Sequence, residues 1–454
     1  KLSYKLCGQE MIAYPAKLLN NLGINTTLVV GYQKELIKEI LNKYDLTNIN
    51  YVEQKEQKGT GHALMCTESF WNADNILVMN GDMPLISQSL VEELIEKHQK
   101  TEAAITFVIA HNDDPTLPGY GRIVEENGFI KIIEAKEFNG DTNTYCWVNA
   151  GVYIIRKDFL KDYKDLLTTN RSSGEIYITD LISLASANEE IVTAVKTSFD
   201  QVRGINTLKE LWTAEQIKRS ELIAYWKDNG VYFSLAQSVH IDLDVTIGAG
   251  TIVGIGAQLL GKTKVGSRVQ IGVGSVISNS LIHDDAFIHP CCVITNSEIQ
   301  SEAQIGPFAH IKDKSNIGKN CSIGNFVEVT RSTLGEKTKA KHLAYIGDAI
   351  VGANVNFGAG TIICNYDGFH KNKTFIEDNV FIGSNNSLIA PITIHENSIT
   401  AAGSIITENV PKNSLAIART KQVNKEGYAT KLKEKLGKKI KRINPAKTEF
   451  QELT

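Results

Sequence analysis

The run Ile247-Gly-Ala-Gly-Thr-Ile-Val253-Gly-Ile-Gly-Ala-Gln-Leu259-Leu-Gly-Lys-Thr-Lys-Val265-Gly-Ser-Arg-Val-Gln-Ile271 decides the fold. A branched aliphatic residue returns at every sixth position, and the count continues to Ile277. After a five-residue step it reads Ile282, Ile288 and Ile294, and after another Ile299, Ile305, Ile311, Ile317, Ile323 and Val329. It passes Leu334, Ala340, Ile346, Val351, Phe357 and Ile363, breaks, and resumes as Ile376, Ile382, Leu388, Ile394, Ile399 and Ile405. Such a period matches neither a helix nor an alternating strand. It predicts a coil of three short flat faces, each about one hexapeptide long, with one aliphatic side chain per face directed into a narrow shaft. Each coil buries its apolar edge only against its neighbours, so the stack is one cooperative parallel β-helix. Gly after the aliphatic residue, as at Gly248, Gly254, Gly266 and Gly272, is expected at corners where the chain turns. A β-sandwich with chance spacing is the competing reading, and a register kept over so many coils argues against it.

Working outward, 454 residues leave room for two or three domains. A net charge of −3 gives no reason to expect nucleic acid as the main partner. Seven cysteines, an odd number without a C-x-x-C pair, read as free thiols of a reduced, cytosolic chain. No apolar run is long enough for a membrane span, and residues 1–14 lack the pattern of a signal peptide.

Residues 1 to about 205 alternate helical and strand patterns, which predicts a mostly parallel sheet covered by helices. A helix is expected from Met11 to Gly23, a strand at Thr27–Gly31, a helix over Lys34–Lys43 and a buried strand at Ile76–Met79. That last strand runs into Asn80-Gly-Asp82-Met-Pro84. Ligands of open α/β sheets bind at the carboxyl ends of strands. Two readings of Asp82 therefore stand, a carboxylate suited to Mg²⁺ and a turn residue capping the next helix. Gln54-Lys-Glu-Gln57-Lys-Gly59-Thr60-Gly61-His62 is a Gly-rich turn able to bring backbone N–H groups near a nucleotide, or a plain loop. Pro118-Gly-Tyr-Gly121-Arg122 is a second such turn, and Glu134, Lys136 and Asn149 are expected at strand ends. Leu208 to Trp226 places Leu208, Leu211, Ile217, Leu222, Ile223 and Trp226 near helical spacing, a linking helix or a partner-binding one.

Several motifs now combine: Gln-x-x-Gln-x-Gly-Thr-Gly-His-Ala, Gly-Asp-x-Pro-Leu-Ile, Gly-Tyr-Gly-Arg-Ile, Ile-Ile-Glu-x-Lys, Val-Asn-x-Gly and Gly-Glu-x-Tyr-Ile-Thr-Asp. Together they resemble, essentially from end to end, the bacterial family of bifunctional N-acetylglucosamine-1-phosphate uridyltransferases/glucosamine-1-phosphate acetyltransferases. The resemblance implies a Rossmann-like nucleotidyltransferase domain followed by a left-handed β-helix of hexapeptide repeats. It implies that Gln54, Gly59 and Thr60 hold uracil, that Asp82 and Asn206 bind Mg²⁺, and that Gly121, Glu134 and Asn149 hold the N-acetylglucosamine moiety, with Lys1 and Asn80 also at that site. The implied reaction is attack of N-acetylglucosamine 1-phosphate on the α-phosphorus of UTP, releasing pyrophosphate. The family begins with a strand and a signature Leu-Ala-Ala-Gly-x-Gly-Thr-Arg-Met ending in Pro-Lys, whereas this sequence starts at what resembles the final lysine, Lys1. The expectation is a fragment of a longer natural chain, deficient in uridylyl transfer as written.

The β-helix carries chemistry where its period breaks. Between Ile363 and Ile376 stands Cys364-Asn365-Tyr366-Asp367-Gly368-Phe369-His370-Lys371-Asn372-Lys373, a polar and basic insertion of the kind that gathers on a binding face. Lys341-His342-Leu-Ala-Tyr345 precedes it, and a neutral His is suited to take a proton from an attacking amine; a polar surface residue is the alternative. The resemblance extends to His-Leu-x-Tyr-x-Gly-Asp and Asn-x-Gly-Ala-Gly-Thr-Ile-x-Cys-Asn-Tyr-Asp-Gly. It implies that the amine of glucosamine 1-phosphate, deprotonated with the help of His342, attacks the acetyl-CoA thioester. Tyr345, Asn356 and Lys371 would position the sugar phosphate, and Asn365 and the Tyr366 backbone would orient it and stabilise the oxyanion. Ala359, Asn365, Tyr366, Ser384, Ala402 and Arg419 match acetyl-CoA contacts. Two departures mark the sugar-phosphate site. Lys312 stands where the family has Arg, losing the planar fork. Thr330 stands where it has Lys, with Arg331 next to it; a one-residue shift turns a side chain to the other face, or in a groove between chains leaves Arg331 to reach the phosphate, and the expectation is a weakened sugar-phosphate site rather than a dead one.

The expected division is a nucleotidyltransferase domain over residues 1–206, a linking helix over 207–230, the β-helix over 231–420 and a basic tail over 421–454. In the tail, Leu432, Leu436 and Ile440 share a helix face between lysines that run to Lys447, which suits a solvated helix packing on a homotrimer or a polyanion-binding one. Two rival functions are a sugar-1-phosphate nucleotidylyltransferase fused to an acyltransferase of different substrate, and a non-catalytic assembly core. Substrate profiling separates the first, and acetyl-CoA-dependent thiol release excludes the second.

Overall fold

The computed structural model describes residues 1–111, 119–126, 128–141, 146–170 and 173–443, with side chains as far as Lys438. Pro118 of the second Gly-rich turn, the Ile440 side chain and Lys447 of the tail lie outside the described residues. The chain divides into two compact units, Lys1–Phe326 and Val327–Thr454, a cut that falls within the run of hexapeptides.

The first unit opens on an α/β layer. Its largest sheet joins Val192–Ser198 parallel to Ile105–His111, which pairs antiparallel with Trp147–Arg156. Asn75–Met79 also pairs antiparallel with Trp147–Arg156, and the hairpin of Arg122–Glu126 and Phe129–Ile133 joins the same sheet. Thr26–Val30 and Glu53-ended Ile49–Glu53 form a separate parallel pair. The sheet is therefore mixed where the alternation of elements suggested mostly parallel pairing, because the hairpin returns the chain into Trp147–Arg156 without a crossover helix. Strand alternation gives the sheet two apolar faces. Phe107, Tyr153 and Ile155 pack with Phe159, Leu160 and Leu181 on one side. Val108, Val152 and Ile154 pack with Leu90, Val91 and Leu94 on the other. The last three come from the helix Gln88–Thr101, started by Ser87, whose Oγ accepts from Leu90 N at 3.2 Å.

A 21-residue helix, Leu208–Asp228, follows, closed at its start by a capping box of Thr207 and Glu210. Leu211, Ile217 and Leu222 lean on a cluster of Leu6, Cys7, Met11, Leu85, Ile205 and Ala214. Leu208, expected on that face, is exposed, since it sits in the first turn beyond the cluster's reach.

From Tyr232 the period takes over. In the first unit Tyr232–Phe233, Ile252–Val253, Gln270–Ile271, Phe287–Ile288, Gln304–Ile305 and Ser322–Asn325 pair in that order as one parallel face. In the second unit Lys339–His342, Asn356–Phe357, Phe381–Ile382, Ile399–Thr400 and Leu415–Ala416 do the same. The two runs amount to a parallel β-solenoid of about 10 turns, consistent with a left-handed β-helix. Ile277, Ile288, Ile305, Ile311 and Ile363 are fully buried, one per face as the period requires.

Two details differ from the sequence reading. At the last coils Thr400 and Ile406 are buried while Ile399 and Ile405 stand 47% and 58% exposed. The step from Ile394 is thus still six residues, and the apolar preference of Ile had disguised a buried Thr. The glycine after the aliphatic position also has another cause than turning. A Cβ on Gly248 would lie 2.6 Å from the Gly266 carbonyl carbon, so close approach of successive coils excludes a side chain there. Apart from Gly306, which follows Ile305 with φ of +98°, left-handed backbone falls elsewhere, on residues such as Asn279, Asn296, Arg331 and Asp348.

The chain ends its described part in the helix Tyr428–Ile443, on which Leu432 and Leu436 are exposed. No helix among the described residues is long and apolar enough to cross a membrane.

Candidate active sites

In the α/β layer, strand ends collect the expected residues into two groups. The Asn75–Met79 strand delivers Asp82 through the turn at Asn80, and Ile205 N bonds the Asp82 carbonyl at 3.1 Å, which brings Asn206 alongside. The Lys1 ammonium lies between them, 2.6 Å from Asp82 Oδ2 and 2.6 Å from Asn206 Oδ1. Two hard oxygens from distant segments thus converge on one cation. That donor set suits Mg²⁺, which takes one or two protein oxygens and completes its shell with water and substrate phosphate.

The Gly-rich turn is fixed by a different stretch. Gly61 N donates to Ile176 O at 2.9 Å, Ile178 N to Thr60 Oγ1 at 3.1 Å, and Gln54 Nε2 to Gly59 O at 3.1 Å. Gly59 has φ of +95°, and a Cβ there would stand 2.5 Å from the Ile176 carbonyl oxygen. Only glycine serves at that point.

Gly121, Glu134 and Asn149 meet where the hairpin joins Trp147–Arg156. Asn149 N donates to Gly121 O at 2.9 Å. The Asn149 amide is oriented at both ends, with Nδ2 donating to the buried Tyr153 Oη at 2.6 Å and Oδ1 accepting from Gly151 N at 3.2 Å. Glu134 Oε1 accepts from Thr179 Oγ1 at 2.7 Å, and burial raises the Glu134 pKa above the ordinary carboxylate value. Thr179 and Tyr153 carry no role in the sequence reading. Thr179 lies inside Gly-Glu-x-Tyr-Ile-Thr-Asp, a signal that could have singled it out. Tyr153 in an apolar strand gave none. Tyr120, whose Oη accepts from Gly204 N at 2.8 Å, was likewise unassigned.

In the second unit the polar insertion is a compact loop. Tyr366 and Lys371 form an antiparallel bridge, and Asn372 N donates to Asn365 O at 2.7 Å. Asp367 Oδ1 accepts from Phe369 N at 2.8 Å and from His370 N at 2.6 Å, closing the turn. Asn365 is buried, and its Nδ2 bonds Asp348 Oδ2 and reaches Tyr345 Oη at 3.4 Å. Arg331 holds Asp348 through Nε at 2.7 Å and Nη2 at 2.9 Å, keeping that carboxyl below the usual range. Thr330, buried, accepts from Arg331 Nη1 at 2.9 Å, so the guanidinium lies over the position where the family lysine was sought. His342 is exposed at the end of Lys339–His342, and Asn356 begins the strand paired with it. Lys312 belongs to the first unit, on His310–Lys312.

Three of the expected acetyl-CoA positions fall in one column. Phe357 pairs with Ile382 and Ile382 with Thr400, so Ala359, Ser384 and Ala402, two residues further on, occupy the same place in successive coils. Arg419 Nη1 donates to Ala402 O at 2.7 Å beside them. The small side chains leave room against the coil surface.

Comparisons with known proteins agree in both halves. Residues 3–244 match the family described as nucleotidyl transferase, and residues 293–432 match that of the GMPPB C-terminal domain. A bifunctional protein GlmU of Exiguobacterium sibiricum is 40% identical over 434 residues, covering 94% of this chain and 95% of the relative. Bifunctional proteins GlmU of Clostridium botulinum and Clostridium beijerinckii are each 38% identical over 436 residues, covering 95% of this chain and 94% of the relative.

Proposed function

This chain belongs to the family of bifunctional GlmU proteins, and from that premise we propose a two-step synthesis of UDP-N-acetylglucosamine. It is a transferase with an acetyltransferase and a uridyltransferase activity. The solenoid transfers acetyl from acetyl-CoA to glucosamine 1-phosphate. The α/β half then joins N-acetylglucosamine 1-phosphate to the uridylyl group of UTP and releases pyrophosphate.

In acetyl transfer the sugar amine attacks the thioester carbonyl, His342 takes the amine proton, and the tetrahedral oxyanion collapses by breaking the C–S bond, the departing CoA sulfur taking up that proton to leave as the thiol. Asn365 orients the sugar amine and the Tyr366 backbone N–H faces the oxyanion; Tyr345, Asn356 and Lys371 hold the sugar phosphate. Ala359, Ser384, Ala402 and Arg419 seat CoA. The observation that carries this reading is the Asn365 amide, buried and held in one orientation by Asp348 beside the basic loop at the break in the repeat.

In uridylyl transfer a phosphate oxygen of the sugar attacks the α-phosphorus, and little beyond positioning is needed. Gln54, Gly59 and Thr60 hold uracil; Gly121, Glu134 and Asn149 hold the amino sugar; Asn80 and Lys1 border the phosphates. Mg²⁺ between Asp82 and Asn206 would neutralise the phosphate charge. The geometry of those two oxygens around the Lys1 ammonium supports that assignment.

The proposed assembly is a homotrimer through the solenoid. Phe308 and Phe326 support it, a stacked pair with centroids 5.4 Å apart that stands 49% and 58% exposed. The proposed location is the cytoplasm, in keeping with seven free cysteines.

The test is one incubation of the 454-residue chain with glucosamine 1-phosphate, acetyl-CoA, UTP and Mg²⁺, with products identified by mass. N-acetylglucosamine 1-phosphate must form if the acetyl-transfer reading is right. Its further conversion to UDP-N-acetylglucosamine supports the uridylyl-transfer reading, and its accumulation without conversion contradicts that reading.

A further inference from the structure

Arg331, Asp348 and Asn365 follow one another at intervals of 17 residues, which places them at one corner of successive coils. Arg331 and Asp348 both hold left-handed backbone there, with φ of 48° and 52°. That state is uncommon outside glycine and persists where the surroundings fix it. Along the corner the three side chains make a cation, an anion and an amide in sequence.

The carboxylate is the hub. Both its oxygens are addressed by the Arg331 fork, at 2.7 and 2.9 Å, and Oδ2 also accepts Asn365 Nδ2. Such a two-point pair fixes orientation as well as charge. Asn365 is only 6% exposed, so its amide has little water to turn towards. Arg331 Nη1 is engaged as well, at 2.9 Å on Thr330 Oγ1. A guanidinium whose charge is matched by an adjacent carboxylate presents almost no net field to a phosphate. Lys371, on the exposed loop, also acts electrostatically on the Asp348 carboxylate.

Resting on the acetyl-transfer reading, we infer that Asp348 is a positioning residue for acetyl transfer. It fixes the Asn365 amide, and Arg331 serves as the holder of Asp348 rather than as a ligand of the sugar phosphate. The guanidinium that lies over Thr330 is thus committed to Asp348, and through it Arg331 supports the Asn365 side of the site.

The experiment compares the full chain with Asp348→Asn, Arg331→Lys and Arg331→Met, measuring CoA thiol release while glucosamine 1-phosphate and acetyl-CoA are varied in turn. Asp348→Asn should lower kcat about 100-fold, as misplacement of a reacting group does, with KM for glucosamine 1-phosphate within about 3-fold of wild type. Arg331→Lys keeps the charge but bonds one oxygen, and should lower kcat roughly 10-fold with the same KM. Arg331→Met should resemble Asp348→Asn. A KM for glucosamine 1-phosphate raised 10-fold or more in Arg331→Met, with kcat intact, overturns the inference and makes Arg331 a phosphate ligand. Wild-type kcat in Asp348→Asn overturns it too. If that variant does not fold, Arg331→Lys decides by the same split between kcat and KM. Absence of thiol release from the wild type removes the acetyl-transfer reading itself, a failure distinct from any variant's.

Discussion

In the α/β half, Lys1 meets Asp82 across 81 residues and Asn206 across 205. In the solenoid, Arg331 meets Asp348 across 17, and Asp348 meets Asn365 across another 17. One site is assembled by the topology of a mixed sheet, the other by counting along a repeat. The difference governs what can be read from sequence, how each site fails, and how local the failure is. In a solenoid each coil contacts its neighbours, so damage stays near its origin. In the sheet, a displaced strand moves residues that are remote in sequence.

The sharpest way to break the comparison is to disable one site and watch the other. His342→Ala should lower acetyl transfer by roughly 10²–10⁴-fold, the range for loss of a general base, with binding of Mg²⁺ and UTP unchanged by calorimetry. Asp82→Asn should weaken Mg²⁺-dependent UTP binding by about 10–100-fold and leave CoA release at the wild-type rate. Cross-effects of similar size would mean that the halves do not act independently.

Core truncation comes next. Ile311→Ala in the solenoid and Phe107→Ala in the sheet both remove fully enclosed side chains. Each should cost about 2–5 kcal/mol in denaturant unfolding. The first should leave UTP binding intact, and the second should impair it. Thr207→Ala, which removes half of a capping box, should cost about 1 kcal/mol.

The smallest effect is one of sign. Burial raises the Glu134 pKa above its ordinary value of 4.5, so the folded chain favours the neutral acid. The stability linked to that proton is present in full below 4.5 and is lost as pH rises through the raised folded value. Glu134→Gln should therefore melt slightly higher than wild type near neutral pH, with the gap closing in acid. A variant that melts lower at neutral pH would show that the Thr179 bond outweighs the burial.

Legibility followed the same divide. The aliphatic period located the solenoid's shaft residue by residue, and failed only at the last coils, where Thr400 and Ile406 took the inward places that Ile399 and Ile405 suggested for themselves. The break at Asn365–Lys373 marked the loop without any structure. Adding one coil length to Arg331 would have reached Asp348, yet an Asp after Gly looks like ordinary corner chemistry. In the α/β half, the alternation of elements gave the class but hid the antiparallel strand Trp147–Arg156, since pairing direction leaves no local trace. Asp82 was visible as a strand-end carboxylate, while its convergence with Asn206 depends on the whole sheet. Tyr153 and Thr179 orient Asn149 and Glu134 through contacts that no spacing encodes.

The solenoid moves an acetyl group onto an amino-sugar phosphate. Thiol release from acetyl-CoA by the purified chain, with glucosamine 1-phosphate or glucosamine as the amine, tests it most directly. CoA release should be matched mole for mole by N-acetylglucosamine 1-phosphate, and should be far slower with the unphosphorylated sugar. No release with either amine, or equal rates with both, would contradict it.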